Sequence, residues 1–248
     1  MSWTPTSEPP PLSSHDIHVW RFPLVNSGKF DHLMPLLAED EVRRAERFLF
    51  DKHREHFAIG RAAARMILGR YVNMAPEKVE YAYDNLGKPR FADEKLNAEF
   101  RFNFSNSSDL GLLAITPETE IGVDLERIRE MSDMLGLAKR YFAQQETDLL
   151  FSLPESEQPH AFFRYWTRKE AYLKAVGKGL TFPLRDVHVS QGDSASECRI
   201  IDINGDPSEA AKWSLTNLLP HEDYRAAVAI QRLENSISQF DFCVPASA

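Results

Sequence analysis

The apolar residues of this chain repeat with two different periods, and the period changes along the sequence. Over residues 39–72 they recur at helical spacing, which places them on one face of a helix. A break near Asp51 divides this stretch, so we predict two helices there. Three further helices are predicted over residues 132–141, 144–153 and 158–176.

The remaining apolar segments alternate with polar residues or form short runs, which is typical of strands. We predict strands at residues 16–22, 79–83, 100–104, 110–116, 120–125, 187–189, 213–218 and 224–230. Because the tight turn Pro117-Glu118-Thr119 follows residues 110–116 directly, we predict a hairpin between that strand and the next. No strong pattern follows Gln239.

The order of these elements predicts how the chain is divided. Each half runs as strand, helices and then strands, which favours an α+β fold of two similar α/β halves with a boundary near Thr116. We assign residues 1–15 to a disordered leader, 16–116 to the N-terminal half, 117–240 to the C-terminal half and 241–248 to a tail. The leader is rich in proline and serine and lacks the features of a signal peptide.

Composition narrows the class of protein. The 248 residues are 43% hydrophobic and 27% charged, which is ordinary for a globular protein. The formal net charge of -8 argues against broad nucleic-acid binding. Cys198 and Cys243 form neither a metal spacing nor a disulfide framework, and no apolar run is long enough to span a membrane. We therefore expect a cytoplasmic protein with no nucleic-acid or membrane partner.

Four polar residues in the second half suggest chemistry. Asp124 and Glu126 are two residues apart on a predicted strand, so their carboxylates share a face and repel each other unless a cation lies between them. Oxygen ligands of this kind suit Mg²⁺. Glu170 and Lys174 lie one turn apart on a predicted helix. The alternatives are a solvated turn for the first pair and a surface ion pair for the second, and periodicity alone favours the ion pair.

The absence of certain motifs argues against serine hydrolases, P-loop enzymes and dehydrogenases. No serine nucleophile elbow, Walker loop or dinucleotide fingerprint is present. In Gly177-Lys178-Gly179 a helix C-cap explains one glycine. Most arginines of the long helical stretch fit a solvated face, although some could bind a phosphate; they are Arg43, Arg44, Arg47, Arg54, Arg61 and Arg65.

Four segments together resemble a known family. They are Gly-Lys-Pro (residues 87–89), Phe-Asn-Phe-Ser (102–105), Gly-Val-Asp-Leu-Glu (122–126) and Trp-Thr-Arg-Lys-Glu-Ala-Tyr-Leu-Lys-Ala-Val-Gly-Lys-Gly-Leu (166–180). In this order and spacing the chain resembles a 4′-phosphopantetheinyl transferase of the surfactin-synthetase-activating type. The resemblance covers roughly residues 43–180.

The resemblance implies a fold and a reaction. The fold would be a pseudo-dimer of two α/β halves in one chain, and we expect a monomer. The enzyme would transfer the phosphopantetheine arm of coenzyme A to a serine of an apo acyl or peptidyl carrier protein, releasing adenosine 3′,5′-bisphosphate. Mg²⁺ would be held by Asp124, Glu126 and Glu170. Lys174 would approach the same phosphates, and Glu170 could deprotonate the serine.

The resemblance also assigns residues to coenzyme A. They are Arg44, Gly87, Lys88, Pro89, Ser105 and Asn106, with Lys174 contacting the phosphates. Arg44 would meet the 3′-phosphate, with Arg43 and Arg47 as neighbours able to share that task. At position 106 the family commonly has histidine; Asn106 donates a hydrogen bond but carries no charge, which bears on the affinity for coenzyme A.

The carrier protein would be bound by positive charge. The recognition helix of a carrier is typically acidic, and candidate basic partners follow the metal-binding strand. They are Arg127, Arg129, Lys139 and Arg140, for which a solvated face is the equal alternative.

Two other functions are compatible with the residues. A metal-dependent phosphodiesterase could use the same three acids, although it lacks the further His and Asp ligands that two-metal hydrolases need. A non-catalytic protein that binds coenzyme A or a carrier is compatible with Asn106.

Overall fold

The computed structural model describes residues 2–25, 30–177, 179, 182–192 and 197–245. The chain forms two compact units: the first comprises Met1–Glu118 and Ser236–Ala248, and the second comprises Thr119–Asn235. Each unit combines helices with β-sheet, which confirms the predicted α+β class.

The strands and helices are numbered in chain order. The strands are β1 Thr4–Pro5, β2 Asp16–Pro23, β3 Tyr81–Tyr83, β4 Pro89–Phe91, β5 Phe100–Ser107, β6 Leu110–Pro117, β7 Ile121–Arg127, β8 Val187–Val189, β9 Ile200–Ile203, β10 Ser214–Leu218, β11 Tyr224–Ile230 and β12 Ser236–Asp241. The α-helices are α1 Glu39–Ala45, α2 Asp51–Tyr71, α3 Glu94–Glu99, α4 Met134–Tyr141, α5 Gln144–Ser152, α6 Gln158–Val176 and α7 Pro207–Ala210. Short 3₁₀ helices span Asp31–Leu36, Pro76–Lys78 and Leu184–Asp186.

The first unit is built on a five-stranded sheet in the order β1-β12-β2-β6-β5. β12 runs parallel to β2, whereas β6 is antiparallel to both β2 and β5. Helix α2 buries an alanine-rich stripe that includes Ala63 and Ile67, and these residues share one core with Trp20, Phe102 and Leu113 of the sheet. The β3–β4 hairpin lies outside this sheet.

The second unit is built on a three-stranded antiparallel sheet in the order β10-β11-β7. Helix α6 contributes Phe162, Ala171 and Leu173 to a core that also contains Ala227 and Ala229 of β11. Because residues two apart share one face of a strand, the alanines leave room on that face for the helix. Helices α4 and α5 pack against α6 from the other side of its apolar stripe.

Most predicted elements are confirmed, with small differences at their ends. The break near Asp51 is confirmed, since α2 begins at that residue. Helix α6 has the predicted bounds. The strand predicted over 79–83 is shorter, because residues 76–79 form a 3₁₀ helix and its C-cap. β5 is longer than predicted and continues through Asn106 and Ser107.

The predicted hairpin between residues 110–116 and 120–125 is wrong. β6 pairs with β2 and β5, whereas β7 pairs with β11 in the other unit. Glu118, in the connecting turn, has a positive φ of 55°. Both strands are apolar and separated by a short turn, but β6 pairs with the preceding strand β5 and with β2, whereas the partner of β7 is β11, which is distant in sequence. The apolar pattern does not specify these partners.

The structure also differs from the predicted division of the chain. The unit boundary follows Glu118, and residues from Ser236 belong to the first unit because β12 pairs with β2. The leader contains β1, which pairs with β12, and the tail places Phe242 and Val244 in the first core. The short elements α3, α7 and β9 were not predicted. No helix among the described residues is long and apolar enough to cross a membrane.

Candidate active site

Helix α6 approaches β7 closely because residue 122 has no side chain. A Cβ on Gly122 would overlap the carbonyl oxygen of Ala171 and the backbone nitrogen of Ala175, and would lie 2.9 Å from the carbonyl carbon of Lys174. Real Cβ atoms do not come so close to backbone atoms. Gly122 therefore lets α6 lie against the strand, which brings Glu170 and Lys174 beside the carboxylates of β7.

Asp124 and Lys174 form an ion pair across this contact. Lys174 Nζ lies 2.7 Å from Asp124 Oδ1 and also donates to the carbonyl oxygen of Val123 at 3.2 Å. Asp124 is buried, and Lys174 is partly exposed. A buried charge requires a partner, and here the lysine supplies it. The structure thus brings together two residues that the sequence placed 50 positions apart.

Glu170 is the least satisfied member of this group. Its Oε1 atom is buried and has no hydrogen-bond partner among the described residues. Burial and then the Asp124 carboxylate raise the pKa of Glu170 to about 7, while Lys174 opposes the rise and Glu126 adds to it. A carboxyl group with this environment either holds a proton or needs additional positive charge.

Glu126 lies at the more exposed end of β7, where its Oε2 is 3.3 Å from Arg129 Nη1. Its carboxylate adds to the raised pKa of Glu170, although less than burial and Asp124 do. Within the part of the chain that the structure describes, no three His, Cys, Asp or Glu side chains converge closely enough to hold a metal ion. The predicted ligands Asp124, Glu126 and Glu170 are therefore electrostatic neighbours rather than a preformed cage.

The donor set nevertheless fits a divalent cation. Asp124 and Glu126 both act electrostatically on Glu170, and Glu170 Oε1 is a buried acceptor without a donor among the described residues. A hard cation prefers oxygen ligands of this kind. Its positive charge would also oppose the rise in the pKa of Glu170.

Lys169, the first lysine of the helical motif, has a different environment. Its side chain is fully buried, and Nζ lies 2.6 Å from Glu146 Oε2 and 3.1 Å from the carbonyl oxygen of Leu184. Glu146 also accepts hydrogen bonds from the backbone N–H groups of Ala143 and Val189. Lys169 therefore connects α6 to α5 and β8, a role that the motif spacing did not reveal.

The turn after α6 confirms the predicted glycine cap. Gly177 has a φ of 66°, and its N–H donates to the carbonyl oxygen of Leu173. Gly179 also has a positive φ, 49°, which favours glycine at this second position. Lys178 and Leu180 of the same motif lie outside the described residues.

Two residues that the resemblance assigned to coenzyme A share a cavity in the first unit. The cavity has a volume of about 340 Å³ and is lined by Arg44, Phe48, His53, His56, Phe57, Gly60, Arg61, Phe104 and Asn106. Phe104 and Asn106 are two residues apart on β5 and so share one face. Arg44 lies over the ring of Phe57, with its Cζ 5.2 Å from the ring centroid.

The other assigned residues lie elsewhere in the first unit. Ser105 is buried on the opposite face of β5 from Asn106 and does not line this cavity. Gly87 has a φ of 84° in the β3–β4 turn, where Asp84 Oδ1 accepts from the backbone N–H of Lys88 at 2.8 Å. Pro89 follows as the buried first residue of β4.

Comparisons with known proteins identify the class. Residues 120–229 match the family model described as 4′-phosphopantetheinyl transferase superfamily, and residues 24–118 match the model described as 4′-phosphopantetheinyl transferase, N-terminal. The chain is 39% identical over 236 residues to the 4′-phosphopantetheinyl transferase HetI of Nostoc sp., covering 92% of this chain and 93% of that protein. The chain therefore belongs to the 4′-phosphopantetheinyl transferase superfamily, as its motifs predicted.

More distant relatives extend the comparison. The 4′-phosphopantetheinyl transferase Sfp of Bacillus subtilis is 26% identical and covers 71% of this chain and 81% of its own length. The mouse L-aminoadipate-semialdehyde dehydrogenase-phosphopantetheinyl transferase is 26% identical over 83% of this chain and 71% of its own length. The holo-[acyl-carrier-protein] synthase of Thermotoga maritima gives a TM-score of 0.36 at 16% identity, covering 46% of this chain and 62% of that one.

Proposed function

We propose that this enzyme transfers the 4′-phosphopantetheine moiety of coenzyme A to a serine of an apo acyl or peptidyl carrier protein. The products are the holo-carrier and adenosine 3′,5′-bisphosphate. Membership of the superfamily supports the reaction class. The observation that carries the proposal is the half-buried Glu170 side chain, with its buried Oε1 atom, near Asp124 and Lys174 at the α6–β7 contact.

The transfer exchanges one phosphorus–oxygen bond for another. The serine oxygen bonds to the phosphorus on the pantetheine side of the pyrophosphate, and the bond from that phosphorus to the bridging oxygen breaks. The serine loses its proton to a base, and the nucleotide leaves with the bridging oxygen. Such a reaction depends on positioning and on neutralising negative charge.

A divalent cation belongs to this proposal, with Asp124, Glu126 and Glu170 as its ligands. When bound, Mg²⁺ would neutralise the pyrophosphate and stabilise the leaving nucleotide. Glu170 Oε1, a buried acceptor with no donor among the described residues, supports the assignment.

Lys174 and Glu170 are the residues proposed to act on the reacting groups. Lys174 Nζ lies 2.7 Å from Asp124 Oδ1. From this position its ammonium group is proposed to bind the phosphate oxygens that gain negative charge during transfer. Glu170 is proposed to take the serine proton directly or through water. Without a metal its pKa is about 7; a bound cation would lower this pKa, so Glu170 would then act as the weaker base of a metal-bound carboxylate.

Coenzyme A is proposed to contact several residues of the first unit. Arg44 and Asn106 share the cavity of the first unit, which supports their assignment to one phosphate. Lys88, with Gly87 and Pro89, is proposed for the nucleotide, and Ser105 for a phosphate on the other face of β5.

The carrier is proposed to bind at the basic residues that follow β7. All four of these side chains are exposed: Arg127, Arg129, Lys139 and Arg140. Leu135 of α4 is also 45% exposed and could contact an apolar residue of an acidic carrier helix. A monomeric state and a cytoplasmic location complete the proposal.

Mass spectrometry tests the reaction. An apo carrier incubated with the enzyme, coenzyme A and Mg²⁺ should gain one phosphopantetheine group. Hydrolysis of coenzyme A without carrier modification would instead indicate a phosphodiesterase. Binding of coenzyme A without any reaction, tested over several carriers, would indicate a non-catalytic binding protein.

A metal titration tests the ligands independently of turnover. Mg²⁺ should raise the melting temperature of the wild-type protein, and Glu170→Gln should reduce this increase because the amide removes one negative ligand. Glu130→Gln, at an exposed acid outside the group, is the matched control. An equal Mg²⁺ effect in wild type and Glu170→Gln would contradict the assignment of Glu170.

A further inference from the structure

Arg61 is a buried arginine in the wall of the first-unit cavity. Only 8% of its surface is exposed, and its guanidinium group lies between two aromatic rings. Its Cζ is 4.8 Å from the ring centroid of Phe104 and 5.4 Å from that of Phe57. The rings fix the plane of the guanidinium group, so the side chain is held in place before any ligand binds.

The hydrogen-bonding capacity of Arg61 is not filled. Its Nε lies 3.5 Å from Glu41 Oε1, and its buried Nη1 has no hydrogen-bond partner among the described residues. Leaving a charged donor buried without an acceptor costs more than leaving it in water. Buried donors are normally paired. The cavity lined by Arg61 has room for a ligand that supplies an acceptor to Nη1.

The local charge favours an anion. Within the described residues, Arg61 and Arg65 share one carboxylate, that of Glu41, whose Oε2 is 2.7 Å from Arg65 Nη2. Arg44 adds a further positive charge to the cavity wall. The cluster therefore carries a net positive charge in a partly dehydrated place, where an anion is attracted more strongly than in water.

The histidines of the cavity are weaker candidates for this charge. Burial lowers the pKa of His56, although Asp109, whose Oδ1 is 3.3 Å from His56 Nε2, opposes the shift. Lys52 and His53 add to the lowering, and Glu55 opposes it. Arginine remains charged at every physiological pH and presents donors that match phosphate oxygens.

We propose that Arg61 is a specificity-determining residue of this enzyme, which binds the 3′-phosphate of coenzyme A and so selects coenzyme A over dephospho-coenzyme A. The inference rests on the proposed function, because that function supplies the ligand. Arg44 and Asn106 complete the phosphate site from the cavity wall. Glu41 is a positioning residue that holds Arg61 through their ion pair. Asn106 contributes no charge, so the fixed positive charge comes from the two arginines.

Calorimetry with two ligands tests this inference without any turnover. Coenzyme A and dephospho-coenzyme A differ by the 3′-phosphate, so the ratio of their dissociation constants measures its recognition. The wild-type protein should bind coenzyme A about 10- to 100-fold more tightly, the range that a charged hydrogen-bonded contact provides. Arg61→Gln should lower this ratio severalfold, although Arg44 keeps it above one, while dephospho-coenzyme A affinity changes by less than about twofold.

Two further variants complete the test. Arg61→Lys keeps the charge but loses the paired donors, so its ratio should lie between those of wild type and Arg61→Gln. If Arg61→Gln does not fold, Arg61→Lys alone still tests whether the ratio depends on Arg61. Lys95→Gln removes an exposed charge on α3 of the same unit, outside the cavity wall, and should keep the wild-type ratio.

The outcomes separate this inference from the proposed function. Equal wild-type affinities for the two ligands, or a wild-type ratio in both Arg61 variants, would overturn the role of Arg61. If the wild-type protein still modifies a carrier, the proposed function stands. A ratio that depends on Arg61 without carrier modification would support the phosphate site and contradict the transferase reaction.

Discussion

At the scale of single residues, two lysines of one motif have different environments. Lys169 is fully buried in an ion pair with Glu146, whereas Lys174 is partly exposed and pairs with Asp124 at the site. Burial lowers the pKa of Lys169, and Glu146 opposes that shift. The first lysine therefore supports the packing of α6, and the second faces the proposed substrate.

Replacing each lysine by methionine should separate these roles. Lys169→Met leaves Glu146 buried without its cation, which costs about 3–5 kcal/mol, so the melting temperature should fall steeply. Lys174→Met should lower the melting temperature much less and abolish most transfer activity. Calorimetric melting and transfer rates at a temperature where both variants are folded would measure this. A Lys169→Met protein with wild-type melting but little activity would place Lys169 in the site.

His18 shows how one buried residue can set a pH dependence. Trp20 Nε1 donates to Tyr71 Oη at 2.8 Å, and Tyr71 Oη is 2.8 Å from His18 Nδ1. Because the indole can only donate, the Tyr71 hydroxyl keeps its own proton and can donate it to His18 Nδ1. Burial lowers the pKa of His18 to about 4, although Asp16 opposes the shift.

Acid should therefore destabilise the first unit through His18. Below pH 6.5 the unfolded chain binds a proton that the folded chain does not bind until about pH 4. Stability should fall across this window by up to about 1.4 kcal/mol per pH unit for this group. His18→Asn should flatten the dependence of melting temperature on pH, whereas His221→Asn, at an exposed histidine, should not. Equal slopes in wild type and His18→Asn would contradict this account.

Sequence alone identified some of these residues and missed others for a physical reason. Asp124 and Glu170 were recognised because alternation and helical spacing report which face a side chain shares. Lys169 and Arg61 depend on partners supplied by other elements, Glu146 for one and Glu41 for the other. The pattern along a helix does not encode such partners, so both residues could equally have been solvated.

At the scale of elements, the site depends on how closely α6 lies against β7. The overlap that a Cβ on Gly122 would have is with backbone atoms of Ala171 and Ala175, which cannot turn aside as a side chain could. The helix as a whole would have to move away from the strand. Glu170 and Lys174 would move with it, away from Asp124.

Gly122→Ala should therefore reduce both stability and activity. Overpacking of this kind costs about 1–3 kcal/mol or more, and displacement of the acids should weaken the Mg²⁺-dependent rise in melting temperature. Gly60→Ala is the contrast within α2, since its Cβ would lie 3.4 Å from Leu24 Cδ2, an ordinary contact. That variant should be neutral or more stable, because alanine favours a helix interior by up to about 1 kcal/mol. Wild-type melting of Gly122→Ala would contradict the packing argument.

Elements with strong local signals were predicted well. Helix α6 has Pro159 in its first turn and Gly177 at its end, and its bounds were confirmed. The six residues of α3, the four residues of α7 and the four-residue β9 are too short for periodicity to show. Asp93 and Asp206, which cap α3 and α7 through hydrogen bonds to backbone N–H groups, were the local signals available for those two helices.

At the scale of the whole molecule, the chain returns to its first unit after completing the second. β12 lies between β1 and β2, and Arg21 binds Asp241 through two contacts of 2.6 and 2.7 Å. Phe240 and Phe242 join the core around Trp20. The sequence did not predict this return, because the parallel pairing of β12 with β2 joins residues more than 200 positions apart.

Removing this last strand should destabilise the first unit more than any of the single substitutions discussed above. Deletion of residues 236–248 takes away Phe240, Phe242 and Val244 from the core and exposes the edge of β2. Because losing one buried phenylalanine side chain already costs about 3–5 kcal/mol, we expect an insoluble or poorly folded protein. Soluble yield and thermal melting by circular dichroism would measure the effect. Deletion of residues 246–248 alone is the control, since it leaves every contact described here in place. A soluble 1–235 protein with wild-type melting would show that β12 is dispensable, and the first unit would then be complete without its C-terminal strand.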